Sequence, residues 1–180
     1  MSNGPILFSL YINDLPLNIM GLKIVLFADD TNILLSEANM NKLQYKLNKV
    51  MNELKTWFAL NSLVVNVETT SAMSFHTAQN ETPVLPQVIF EGRDIPYNNE
   101  TKFLGIYINE NMKWSSHIKC LSSKLNTSYY TISSLKNVMS LYVLRTIYFP
   151  CFHAHLRYGL TLCGSDPESI IIFRLQKKVI

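Results

Sequence analysis

The sequence predicts an α+β fold in which an antiparallel sheet with packed helices is followed by a wholly helical region. Through residues 1–111, short apolar runs are separated by turn residues, as in β-hairpins. From residue 112 onward, apolar residues recur every three or four positions, which is the period of a helix. We therefore expect two domains, residues 1–111 and residues 112–180. A composition with 48% apolar and 16% charged residues is typical of globular rather than disordered chains.

The first domain is predicted to open with a short apolar helix over residues 5–15. Apolar runs at residues 23–28 and 31–35 surround the pair Asp29-Asp30. This pattern predicts a buried hairpin with an acidic turn.

The remaining elements follow from the spacing of apolar residues. A stripe along residues 39–61 predicts an amphipathic helix packed on one face of the sheet. Runs typical of strands lie at residues 64–67, 72–75, 87–90, 94–97 and 102–108. The second domain is predicted to contain helices at residues 118–139, 141–162 and 170–179. Pro150 is expected to kink the second of these helices.

The charge is distributed unevenly along the chain. Residues 1–100 contain 6 Lys+Arg and 10 Asp+Glu, whereas residues 101–180 contain 10 Lys+Arg and 3 Asp+Glu. Carboxylates can hold metal ions, and a basic surface can hold phosphates, so the two halves are consistent with two tasks. An uneven but merely solvated surface is the alternative interpretation.

The cysteines and the apolar segments indicate where the chain resides. Cys120, Cys151 and Cys163 are odd in number and form no CxxC motif, so we expect reduced thiols and an intracellular location, in cytoplasm or nucleus. The opening apolar run is short and ends at Asn13-Asp14, so we expect neither a signal peptide nor a membrane span.

The sharpest chemical feature is the tetrapeptide Phe27-Ala28-Asp29-Asp30. Two adjacent carboxylates at a hairpin tip are costly unless a cation neutralises them, and hard oxygen ligands suit Mg²⁺. A pair of such ions can promote an in-line displacement at phosphorus. The small side chain of Ala28 would leave room for a substrate beside the carboxylates. The alternative is a simple turn that uses Asp because Asp favours turns.

Several segments, in order along the chain, resemble the motifs of one family. Residues 4–16 resemble the helix after its template-gripping motif, and residues 27–34 resemble its catalytic motif. Residues 63–70 resemble the motif after its palm helix, and residues 102–106 resemble its primer-grip strand, with 114–118 following as in the family. Residues 157–160 and 175–178 resemble landmarks of its thumb. The family is that of the reverse transcriptases of non-LTR, jockey-like retrotransposons. The resemblance runs over nearly the whole chain.

This resemblance implies a partial polymerase palm at residues 1–111 and a helical thumb at residues 112–180. It implies RNA-directed DNA synthesis by two-metal catalysis, with an RNA template, a DNA primer and deoxynucleotides as partners. By resemblance, Asp29 and Asp30 are catalytic and bind two Mg²⁺ ions, while Phe27 and Ala28 border the nucleotide and the primer end. The resemblance also implies that the primer strand is contacted by Phe103, Leu104 and Gly105. It implies that the nucleic-acid backbone is contacted by Lys119, Lys124, Arg145 and Arg157.

The sequence also departs from the family pattern. The family has a further metal-binding Asp, fingers and a Pro-Gln-Gly segment upstream of the region that resembles this chain. It usually has Lys where Thr69 stands, and that Lys is thought to protonate the departing pyrophosphate, which Thr cannot do. Cys163 stands where Trp is frequent. We therefore expect a truncated or decayed copy that is inactive alone, and a non-catalytic nucleic-acid-binding remnant is the alternative function.

Overall fold

Helices and small antiparallel sheets are both present, which confirms the α+β class. The computed structural model describes residues 3–19, 21–77 and 84–179. Within these ranges the strands form three separate two-stranded antiparallel sheets, not the single sheet that the sequence predicted. The chain divides into two units, one formed by residues 3–72 and 84–98 and the other by residues 73–77 and 99–179. The predicted domain boundary at residue 111 stays a prediction.

Up to residue 60 the described part of the first unit contains three helices and one hairpin, and a second hairpin follows residue 84. Its elements are α1 (Gly4–Ile12), α2 (Leu15–Asn18), β1 (Lys23–Phe27), β2 (Asp30–Leu34), α3 (Met40–Leu60), a 3₁₀ turn (Val67–Thr69), β3 (Ile89–Phe90) and β4 (Arg93–Asp94). The predicted opening helix is divided in two, because Asn13 and Asp14 form a turn and Pro16 supplies no backbone N–H to continue the ladder.

Helix α3 is the main packing element of the first unit. Asn39 caps its start, since the Asn39 side chain accepts a hydrogen bond of 2.9 Å from the Asn41 N–H. Four apolar side chains at helical spacing are buried on one face: Leu47, Val50, Leu54 and Trp57. They share a core with Ile12 and Leu15 from the opening helices and Phe90 from the second hairpin. The predicted helix 39–61 is thus confirmed.

The hairpin β1–β2 pairs Phe27 with Asp30 next to its tip. Its side chains alternate: Ile24 and Leu26 are half-buried against the core, whereas Val25 and Phe27 are exposed. The prediction of a hairpin was right, but the prediction that it is buried was wrong. Only one face of this two-stranded sheet packs on the core.

Two predicted strands are not formed. Residues 64–67 make no ladder, and Ala72 forms only an isolated bridge with Tyr97. The cause at residues 66–70 is local, because the Asn66 side chain accepts from the Glu68 N–H at 3.2 Å and the chain turns into a 3₁₀ helix. The predicted hairpin of residues 87–97 is present in shortened form as β3–β4.

The second unit begins with a hairpin and continues with helices. Its elements are β5 (Glu100–Phe103), β6 (Ile106–Asn109), α4 (Ser115–Leu135), α5 (Leu141–Tyr148), a π-helical segment (Phe149–His153), α6 (Ala154–Cys163), a 3₁₀ turn (Pro167–Ser169) and α7 (Ile170–Val179). The single strand predicted at residues 102–108 was wrong. Leu104 and Gly105 both take positive φ, +47° and +83°, and turn the chain back on itself.

A π-helical segment joins α5 to α6 where the sequence predicted a kinked helix. Pro150 has no N–H to donate, and the Ala154 N–H bonds to the Phe149 carbonyl, five residues back. Phe152, inside this segment, is completely buried. It packs in a core with apolar residues of three helices: Ile118, Leu125, Leu156 and Ile172. None of the helices in the described ranges is long and apolar enough to span a membrane.

Candidate functional site

The acidic pair occupies the tip of the hairpin β1–β2. Ala28 and Asp29 form its two-residue turn, and Asp30 is the first residue of β2. Ala28 has a φ of +51°, a left-handed conformation that favours glycine in two-residue turns. This conformation reverses the chain within two residues and therefore places both aspartates at the end of the hairpin.

Both aspartates lie open to solvent. Asp29 and Asp30 are exposed, and neither forms an ion pair with any residue that the structure describes. No Lys or Arg there neutralises the carboxylates, so their oxygens are accessible to a cation. The donor chemistry fits Mg²⁺, which prefers hard oxygen ligands. Within the described ranges no third His, Cys, Asp or Glu joins them, so a complete ligand set needs other contributors.

Phe27 and Ala28 flank the acidic pair. Phe27 is 58% exposed although it is large and apolar, and Ala28 is exposed beside it. An exposed aromatic ring next to two free carboxylates gives this tip one apolar and one acidic surface.

The predicted primer-contacting residues lie in the other unit. Phe103 pairs with Ile106 at the end of the hairpin β5–β6, and Leu104 and Gly105 form its turn. The Tyr158 hydroxyl donates to the Leu104 carbonyl at 2.5 Å, so helix α6 contacts this turn. The structure therefore brings Phe103, Leu104 and Gly105 together with one another and with α6.

The four predicted basic residues are all exposed, but they are not one cluster. Lys119 lines a groove of about 790 Å³ whose other walls are hydroxyl-rich, with Ser115, Ser122 and Thr127 among them. Lys124 lines a separate pocket of about 210 Å³. Arg145 lies over the Phe149 ring, 6.0 Å from its centroid, and Arg157 is exposed on α6. Residues 112–165 contain no Asp or Glu, although Glu168 lines the same groove as Lys119.

The sequence interpretation gave no role to His117, which the structure marks as unusual. His117 is only 6% exposed, and burial lowers the pKa of its imidazole, with a smaller contribution from the charge of Lys124. The Tyr107 N–H points at its Nδ1 from 3.5 Å, while its Nε2 has no partner in the described part of the chain. The sequence offered one signal for His117, which is its place in the segment 114–118 that resembles the family. Its contact with Tyr107 could not be predicted, because this contact joins a strand to a helix.

Thr69, where the family usually has Lys, belongs to the 3₁₀ turn of the first unit. Its side chain is exposed, and its hydroxyl donates to the Asn66 carbonyl at 3.2 Å. The hydroxyl thus forms a local backbone contact and carries no cationic proton for a leaving group.

An α+β fold with two exposed carboxylates at a hairpin tip is consistent with the family that the sequence motifs resemble. The sequence profile described as "Reverse transcriptase (RNA-dependent DNA polymerase)" matches residues 1–108, more than half of the chain. The chain belongs to the reverse transcriptase family.

Its curated relatives include RNA-directed DNA polymerases of mobile elements. It is 26% identical over 176 residues to the RNA-directed DNA polymerase from mobile element jockey of Drosophila melanogaster, covering 92% of this chain and 19% of the relative. The probable RNA-directed DNA polymerases from transposons BS and X-element of the same species are 25% and 24% identical, over 92% and 98% of the chain and 19% and 20% of their own lengths. The chain spans about a fifth of the length of these relatives. No solved structure matches it.

Proposed function

We propose that this chain is a palm and thumb fragment of an RNA-directed DNA polymerase. The observation that carries the proposal is the open, unpaired Asp29-Asp30 tip within the region that matches the reverse transcriptase profile. Its substrates are an RNA template, a DNA primer and deoxynucleotides. Its location is intracellular, in cytoplasm or nucleus, where the free thiols of Cys120, Cys151 and Cys163 stay reduced.

In this proposal the residues of the two units have separate tasks. Asp29 and Asp30 hold Mg²⁺, and the ions supply activation of the primer hydroxyl and stabilisation of the leaving pyrophosphate. Phe27 and Ala28 border the incoming nucleotide and the primer end. The turn Phe103–Gly105 supports the primer strand. The exposed cations of α4, α5 and α6 contact backbone phosphates.

A chimaera tests the catalytic assignment. The 180 residues replace the matching segment of the jockey polymerase, and RNA-templated primer extension is measured. We expect extension that Asp29→Asn reduces by more than about 10²-fold, because even outer-shell partners of a metal are worth 10–100-fold. The matched control is Glu91→Gln, which removes an exposed carboxylate from the turn of the other hairpin in the same unit. Equal extension by the Asp29→Asn and Glu91→Gln chimaeras would remove the catalytic assignment.

Salt titration tests the phosphate contacts of the second unit. Fluorescence anisotropy of a labelled RNA–DNA duplex gives the affinity of the isolated chain at several salt concentrations. Replacing Lys119, Lys124, Arg145 or Arg157 by Gln should each lower the slope of log affinity against log salt by about one. Lys49→Gln in the first unit, whose charge is already paired with Glu53 at 3.7 Å, should leave the slope unchanged.

A second candidate function is nucleic-acid binding without catalysis, and the observation that favours it is Thr69. If this Thr replaces a proton donor, then Thr69→Lys in the chimaera should raise extension by about 10²-fold. Thr70→Lys, one residue further along the same turn, is the matched control. A chimaera that binds duplex but extends no primer, with or without Thr69→Lys, would favour the binding function.

A further inference from the structure

The turn of the hairpin β5–β6 has a leucine in its first position. Both turn residues have positive φ, which is the conformation of a type I′ turn and is typical of Asn-Gly or Gly-Gly. Gly105 fits this conformation, but Leu104 does not favour it. A leucine therefore occupies a left-handed conformation, as Glu91 does in the turn Glu91-Gly92 of the other hairpin, and contacts from outside the turn can stabilise it.

Helix α6 provides one such contact. The Tyr158 hydroxyl donates to the Leu104 carbonyl, and the Tyr158 ring lies beside Gly105, where an added Cβ would be 3.8 Å from Tyr158 Cε1. The tyrosine therefore bonds to one residue of the turn and lies beside the other. The contact joins residues 54 positions apart, so it fixes the turn relative to the helix.

Helix α4 provides the second contact through His117. The Tyr107 N–H, on strand β6 just after the turn, points at His117 Nδ1 from 3.5 Å. Accepting this hydrogen bond requires an unprotonated Nδ1, so the proton of the neutral ring lies on Nε2. Nε2 faces Gly159 of α6 closely enough that any Cβ at residue 159 would overlap the ring. The absence of a side chain at Gly159 therefore creates the space for the imidazole.

We propose that Tyr158, His117 and Gly159 are positioning residues that hold the Leu104–Gly105 turn against the helices, and through this turn position the primer end. The primer part rests on the proposed function, whereas the positioning of the turn does not. The three residues act as one unit: Gly159 admits His117, His117 anchors β6, and Tyr158 anchors the turn itself.

Selective ¹⁵N-glycine labelling of the full chain reads the turn directly. The sequence contains only 6 glycines, so the amide spectrum is sparse, and Gly105 reports the turn. Tyr158→Phe should shift the Gly105 resonance and speed its amide exchange about threefold to tenfold, the effect of one lost hydrogen bond. Gly92, in the turn of the other hairpin, is the internal control and should not move. Tyr130→Phe is the matched variant, because Tyr130 is exposed and its hydroxyl has no bond to a described residue. A Gly105 resonance unchanged by Tyr158→Phe would overturn the positioning role.

A second pair of variants tests the space at Gly159. Gly159→Ala should lower the melting temperature and shift Gly105, because the new methyl group displaces His117. Adding His117→Ala to Gly159→Ala removes the overlap, so the double variant should be more stable than the sum of the single effects predicts. Purely additive effects would show that the two residues are not coupled and would overturn this part of the proposal.

Cross-linking separates this inference from the proposed function. A primer with a photoreactive 3′-terminal thionucleotide is annealed to RNA, irradiated with the chain, and the attached peptide is mapped. We expect attachment at residues 103–105, with a yield reduced about threefold or more by Tyr158→Phe. If the primer attaches elsewhere while Tyr158→Phe still moves the Gly105 resonance as expected, the primer role would be overturned and the positioning of the turn would stay supported. Attachment at 103–105 that Tyr158→Phe does not reduce would overturn the link between turn position and primer.

Discussion

At the scale of single residues, the side chain of Ala28 conflicts with the backbone geometry of the turn between β1 and β2. Its φ of +51° costs an L-residue about 1–2 kcal/mol, which glycine avoids. After the extra backbone entropy of glycine is subtracted, Ala28→Gly should stabilise the first unit by about 0.5–1 kcal/mol. Urea unfolding followed by Trp57 fluorescence in a Trp114→Phe background reports this unit alone, since the chain has 2 tryptophans.

The control for Ala28 is a second alanine with ordinary geometry. Ala59→Gly, in the last turn of α3, should destabilise the same unit by about 0.5–1 kcal/mol. The two substitutions are chemically identical, so opposite signs isolate the backbone conformation. Equal destabilisation by both would contradict the left-handed turn at Ala28.

His117 makes the stability of the second unit sensitive to pH. Burial lowers its pKa in the folded chain below the ordinary value of 6.5, so between these two values the unfolded chain binds the additional proton. Stability is therefore full above about pH 6.5 and falls as the pH is lowered towards the folded-state pKa. Lys124, Cys120, His155 and Tyr158 line the same pocket, and the charge of Lys124 acts in the same direction.

The pH effect is measured as the free energy of unfolding between pH 7.5 and 5. Trp114 is a suitable probe, because its ring lies 6.5 Å from that of His117. His117→Gln should flatten the decrease at low pH, whereas His155→Gln, at an exposed position, should retain it. Parallel curves for the wild-type chain and His117→Gln would exclude His117 as the cause.

At the scale of elements, α3 carries the first unit. Leu54 is buried at the centre of its apolar face, so Leu54→Ala should cost about 2–4 kcal/mol through lost burial and the cavity left behind. Lys55→Ala, on the exposed side of the same turn, should change stability by less than about 0.5 kcal/mol. Urea unfolding monitored by Trp57 distinguishes the two, and similar costs would mean that this helix face is not packed as the structure shows.

Sequence reasoning succeeded for elements whose cause is local. The stripe Leu47, Val50, Leu54 predicts α3 because a helix face is determined by spacing alone. The strand predicted at 102–108 failed because Leu104-Gly105 is not a usual turn sequence, and the helix contact at this turn comes from the distant Tyr158. Tertiary contacts of this kind, 54 residues apart, leave no mark in a single sequence. The acidic tip was identifiable from its motif, whereas the role of His117 required the fold.

At the scale of the whole molecule, the 180 residues purified alone should not extend a primer. Two-metal catalysis requires carboxylates on both sides of the ions, and the described residues supply a cluster of only two. The measurement is primer extension on an RNA template with Mg²⁺, beside an Asp29→Ala control. Extension by the purified chain that disappears in this control would show that the fragment supplies a complete site.

The π-helical segment between α5 and α6 has a consequence for changes in chain length. A π turn contains one residue more than an α turn, and each residue rotates a helix by about 100°. Deleting one residue within Phe149–His153 would allow α5 and α6 to fuse into one regular helix. The extra residue is taken up within this one wide turn, so the deletion should leave Tyr158 pointing in nearly its present direction relative to α5. A deletion inside the regular helix α6 has no wide turn to absorb it and would rotate the residues that follow by about 100°. This joint is therefore a place where the chain can lose one residue while the apolar stripe of α6 keeps its direction towards the core.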